Sequence, residues 1–160
     1  MDQGTQLVST QNDFKRLIRE QNYREIFKRQ YEIAPTIANS PEDLAAFNEI
    51  IENLRTIEIA LQKADSFSKA GNSYAAWEQL DALREDFPDD PKLGRQLELL
   101  APKVADFTRA LLMARELEDR TPQQTGSAIS HYLKAKTIYP NSEYANEGLD
   151  RLINTTIGEY

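Results

Sequence analysis

Residues 57–90 read IEIALQKADSFSKAGNSYAAWEQLDALREDFPDD. Ile57, Leu61, Ala64 and Phe67 step by three or four positions, which places them on one face of an α-helix. Gly71-Asn72-Ser73 then interrupts the pattern. Glycine suits the left-handed conformation that ends a helix, and Asn or Ser can accept a hydrogen bond from the first free N–H groups of the next one. Ala76, Trp77, Leu80, Leu83 and Phe87 stripe a second, shorter helix that should end before Pro88. Helix, glycine turn, helix is the grammar of an antiparallel hairpin, and it decides the fold class.

Working outward, the first stripe begins earlier, with Leu44, Phe47, Ile51 and Leu54. Ser40-Pro41-Glu42-Asp43 supplies a cap, a first-turn proline and two acids at the positive end of a helix. A helix over 41–70 would be roughly 45 Å long. Asp90-Pro91 repeats the start signal, and Asn141-Ser142-Glu143 gives a third without proline. The starts recur about every 50 residues, within the range of helical-repeat architectures. At that offset Phe47 meets Leu97, Leu54 meets Val104, Ala60 meets Ala110 and Ala64 meets Ala114. After a two-residue insertion Ala76 meets Ala128, Leu80 meets Tyr132 and Pro88 meets Pro140.

The second unit should therefore hold a long helix over 91–119, kinked or split at Pro102. A longer loop follows at Thr121-Pro122-Gln123-Gln124-Thr125-Gly126, then a short helix carrying Ile129, Tyr132, Leu133 and Ile138. A last helix over 142–157 has Ala145, Leu149, Leu152 and Ile153 on one side. Glu143, Asn146, Glu147, Asp150, Arg151 and Asn154 form the other, the polar outer face of a capping helix. Phe14, Leu17 and Ile18, then Tyr23, Ile26, Phe27 and Tyr31, mark a leading hairpin over 11–39, and residues 1–10 should be a flexible N-terminus. No alternation of period two occurs, so no β-structure is expected.

Composition narrows the function. The chain has 160 residues, a formal net charge of −7, no Cys and one His. It can form neither disulfides nor thiolate metal sites, and one His cannot build a multi-His centre. An acidic chain repels nucleic-acid phosphates, so nucleic acid is not an expected partner. Ala110-Leu111-Leu112-Met113-Ala114 is far too short to insert in a membrane. The start, MDQGTQLVSTQ, lacks the pattern of a signal peptide. The expected compartment is cytoplasmic by default, or extracytoplasmic if a leader has been removed.

The matched residues resemble the tetratricopeptide repeat family. In 57–90 the resemblance rests on Ala64, Phe67, Gly71-Asn72, Ala76, Leu80, Leu83 and Pro88; in 107–142 it rests on Ala114, Leu117, Ala128, Tyr132, Ala135 and Pro140. Small residues sit where paired helices approach, Ala64 against Ala76 and Ala114 against Ala128, with Phe67 and Trp77 filling the space beside them. The sequence departs from the family in its long first helices, its enlarged second loop, and Ala60 and Ala110 where a large aromatic is usual. The resemblance implies an all-α, right-handed superhelical array of antiparallel hairpins, with about seven helices, as units over 41–90 and 91–140. It also implies a partner-binding groove lined by Glu58, Leu61, Asp65, Ser68 and Lys69 from the first unit and Thr108, Leu111, Arg115, Glu118 and Asp119 from the second.

No constellation for catalysis emerges. His131 has no nucleophile or orienting acid at motif spacing, and it is read as a surface residue. Glu116, Glu118 and Asp119, like Asp86, Asp89 and Asp90, are read as solvated faces and caps. Gly71, Gly94 and Gly126 are isolated, so no phosphate loop is present. Asn154-Thr155-Thr156 matches a glycosylation sequon inside a predicted helix. Lys15, Arg16, Arg19, Arg24, Lys28 and Arg29 alternate with Asp13, Glu20, Glu25 and Glu32 as an ion-paired surface. The expected function is a non-enzymatic scaffold that binds a protein or peptide, without cofactor or metal. The alternatives are a docking or oligomerisation segment of a larger protein, and an all-α carrier or enzyme with a pocket beside Trp77 or Tyr132.

Overall fold

A computed structural model describes residues 12–158, with side chains described as far as residue 155. The flexible terminus expected for 1–10 lies outside the described residues. Among the described residues there are nine α-helices, one 3₁₀ turn and no strand. Helix α1 covers 12–19. Then come α2 (Tyr23–Lys28), α3 (Gln30–Ile37), α4 (Pro41–Lys69), α5 (Ser73–Asp81), α6 (Pro91–Leu100), α7 (Ala105–Asp119), α8 (Thr125–Ile138) and α9 (Glu143–Gly158).

Two breaks raise the count from about seven to nine. Arg29 leaves helical geometry at φ −100° and ψ 21°, dividing the second leading helix into α2 and α3. At Pro102 the long second-unit helix splits through the 3₁₀ turn Ala101–Lys103. Proline lacks the N–H that would continue the ladder and its ring crowds the preceding turn. Val104, fully buried, ties the junction to the core. Helix α5 stops at Asp81, short of the expected Phe87, although Phe87 still packs against the core from the turns that follow.

The chain forms two compact units, Met1–Ile59 and Ala60–Tyr160, so the division falls within α4. In the first unit Phe14, Leu17, Ile26, Ile33, Ile37, Phe47 and Ile51 form one apolar cluster, and the rings of Phe14 and Phe47 meet edge-on at 6.1 Å. Asn22 caps α2 by accepting from the Glu25 N–H.

In the second unit one cluster joins the end of α4 to α5, α6, α7, α8 and α9. Its helices meet through small residues: Ala64, Ala76, Ala110, Ala114, Ala128, Ala135 and Ala145 are all buried. Leu80, Leu93, Leu111 and Leu152 fill the space between them, each contributing roughly 1.5–3 kcal/mol by leaving water. Asn72, Asp90 and Ser142 cap α5, α6 and α9, accepting from the N–H groups of Ala75, Leu93 and Ala145.

Phe67 departs from expectation. It is 38% exposed instead of filling the space beside the small-residue contacts. Leu133 is likewise half exposed on α8.

Candidate functional site

The side chains expected to line a groove have divergent surroundings. Glu58 belongs to the first unit, where Arg24 Nη1 donates to its Oε1 at 2.6 Å. The other nine belong to the second unit. On α4, Leu61 is half-buried against the core, while Asp65, Ser68 and Lys69 are exposed. Lys69 Nζ reaches Asp65 at 2.8 Å, one turn away. Their mutual attraction raises the Lys69 pKa, chiefly through that hydrogen bond. This last stretch of α4 is unusually bare: from Gln62 to Ala70 only Ala64 is buried.

Helix α7 behaves differently. Leu111 is 1% exposed and belongs to the core, which removes it from any open groove. Its neighbour Leu112 is 63% exposed. One residue advances a helix by about 100°, and with Ala110 and Leu111 both facing inward, Leu112 falls outside the buried arc. Thr108 is half-buried, its hydroxyl donating to the Ala105 carbonyl, and Asp119 is exposed.

Arg115 and Glu118 are both occupied by α9. The Arg115 guanidinium lies 4.7 Å from the centre of the Tyr144 ring, within cation–π range. Arg151 donates to both oxygens of Glu118, at 2.9 and 3.0 Å, and the Tyr132 hydroxyl donates to the same carboxylate at 2.6 Å. The Arg151 hydrogen bond leads in holding the Glu118 carboxyl below its ordinary value. Burial, reinforced by Glu118, pushes the Tyr132 phenol up to about 12. Arg151 therefore leaves the outward polar face expected of it and turns back onto α7.

Sequence reading also missed Glu78. It lies on α5, 7% exposed, at the start of α9. It accepts from the Ser142 hydroxyl at 2.7 Å and from the backbone N–H groups of Glu143 and Tyr144. These donors are the free N–H groups at a helix N-terminus, where a carboxylate is favoured. Burial nonetheless outweighs them and raises the Glu78 pKa. Tyr144 completes the seam, donating to Asp81 at 2.9 Å and meeting Trp77 edge-on at 6.1 Å. No sequence signal links these residues, because the Glu78 and Ser142 partners are 64 positions apart.

The remaining candidates resolve into structural parts. His131 Nδ1 lies 2.8 Å from the Ser127 carbonyl, to which it donates. Asp90 caps α6. Asn154 is exposed on α9, and the Thr155 hydroxyl donates to the Arg151 carbonyl one turn back. Among the described residues no group of three or more His, Asp or Glu is placed to hold a metal ion. No described helix is long and apolar enough to cross a membrane. No family model, no curated protein and no solved structure matches the chain.

Proposed function

We propose that the protein is a non-enzymatic binding module, and that Ala60–Tyr160 is a tetratricopeptide-like array of stacked helix pairs closed by α9. In this reading the partner is a protein segment, and it docks on the last two turns of α4. The observation that carries the reading is the bareness of that stretch. Gln62, Lys63, Asp65, Ser66, Phe67, Ser68 and Lys69 are exposed, and Phe67 presents an aromatic ring there. Aromatic side chains are efficient anchors at interfaces because they desolvate a large area at low entropic cost. Asp65 and Lys69 beside it would set the register of a partner's charges.

The alternative placement, a groove along α7, is weakened by the engagement of Arg115 and Glu118 with Tyr144 and Arg151. The test is a quantitative pull-down with mass spectrometry, comparing the wild-type chain with Phe67→Ser and with a charge reversal at Asp65 and Lys69. A partner enriched by the wild type should be lost with Phe67→Ser while helical circular dichroism stays unchanged. A partner retained by Phe67→Ser would remove the α4 surface from the reading.

A further inference from the structure

The outward face of α7 is distinct from the α4 surface, and its sequence is complementary to itself. Arg109, Leu112, Met113 and Glu116 fall within about 100° of the helix circumference. All four are exposed, with Leu112 at 63% and Met113 at 39%. Neither Arg109 nor Glu116 has an ion-pair partner among the described residues. Two large apolar side chains are therefore bracketed along the helix by one cation and one anion, both free to pair.

From this arrangement we infer that α7 docks against α7 of a second copy of this chain, antiparallel, about a two-fold axis passing between Leu112 and Met113. A two-fold interface is isologous: if one residue faces another, the reverse contact forms as well. Arg109 and Glu116 lie equally far from the axis, so Arg109 of each copy faces Glu116 of the other. Leu112 and Met113 of both copies close around the axis and leave water together. Asp106 and Asp119 are also equidistant from it, but at about 100° per residue they lie on opposite flanks of the stripe. Their like charges therefore do not meet.

A second copy is favoured over an unrelated partner because the charges match under this one operation. A single helix pair buries less than the roughly 1,200 Å² of stable complexes. The dimer is accordingly weak, with dissociation in the range of about 100 μM, and it weakens with salt.

Sedimentation of the full chain from about 10 μM to about 1 mM, at low and high salt, tests this. The wild type should pass from monomer to dimer over that range. Arg109→Glu and Glu116→Arg should each remain monomeric, since like charges then face each other. An equimolar mixture of the two should recover association, because each copy then presents the charge that the other lacks. The double variant carrying both substitutions should self-associate as the wild type does. Far-UV circular dichroism and Trp77 emission confirm that the variants are folded. A wild type that stays monomeric at about 1 mM overturns the proposal and leaves this face to another partner. So does association that the single reversals leave unchanged, or a mixture that fails to recover it.

Discussion

Gly148 on α9 lies directly against the ring of Tyr132 on α8. A Cβ placed on Gly148 would come within 2.5 Å of the ring's Cε1 and Cζ atoms. The ring cannot withdraw easily, being fully buried with its hydroxyl held by Glu118 at 2.6 Å. Glycine is thus required here by proximity, since it is the one residue that lets the two helices come this close.

Gly148→Ala should therefore destabilise the second unit by about 1–3 kcal/mol, the usual cost of overpacking. Gly94→Ala is the matched control, since nothing lies within 4 Å of its built Cβ. Within a helix that change should be neutral or stabilising by roughly 0.5–1 kcal/mol. Chemical denaturation followed by circular dichroism separates the two. Equal effects would refute the close approach of α8 and α9.

Removing the Glu78 side chain should unseat the start of α9. Glu78→Ala leaves the Ser142 hydroxyl and two backbone N–H groups without their acceptor, each a penalty of about 1–3 kcal/mol if it stays buried. Glu78→Gln keeps one carbonyl acceptor and should lose much less. Amide exchange at Glu143 and Tyr144 reads this directly, and should accelerate in the alanine variant far more than in the glutamine variant.

The two acids that hold α9 should respond to pH in opposite senses. Glu118 has a lowered pKa, so its stabilisation is complete above the ordinary carboxylate value of 4.5 and is lost as pH falls through the folded value. Glu118→Gln should be less stable than the wild type near neutrality, and the gap should close in acid. Glu78 has a raised pKa, so the folded state holds its proton longer than the unfolded chain does. Its contribution declines as pH rises from 4.5 through the raised value. Glu78→Gln should remove that decline. Unfolding curves at several pH values check both signs.

Trp77 should report on the second unit. It is 7% exposed and meets Phe107 edge-on at 6.0 Å, so its emission should be blue-shifted when folded. Ala114→Leu, at a fully buried position in the α7–α8 contact, should shift the midpoint of the Trp77 transition to lower denaturant. An unshifted midpoint would mean that the two helices do not approach through their alanines.

The starts of α5, α6 and α9 were legible from local chemistry, whereas α8 begins at Thr125, inside the stretch expected as a loop and without a side-chain cap. Asn72, Asp90 and Ser142 act within three residues of themselves, and each caps the helix it precedes. The break at Pro102 was equally local. The break at Arg29 was not, because no Gly or Pro marks it; its guanidinium instead reaches Asp13, 16 residues back, and Glu32. The expected groove lining was legible only as residue types. Whether Leu111 or Leu112 faces inward depends on how α7 is rotated against its neighbours, and a stripe containing both does not specify that.

By itself, then, the sequence determined the capped starts of α4, α5, α6 and α9, the turn at Gly71 and the break at Pro102, since caps, glycines and prolines act over a few residues whatever the rest of the chain does. It also determined the all-helical class through apolar spacing. The tertiary structure alone decided which polar side chains are consumed inside the protein and which remain for a partner. Glu118 and Arg151, 33 positions apart, and Glu78 and Ser142, 64 apart, meet because α9 packs against helices far from it in sequence. Such meetings depend on helix rotation and approach, set by the sum of many buried contacts, and no local spacing encodes them.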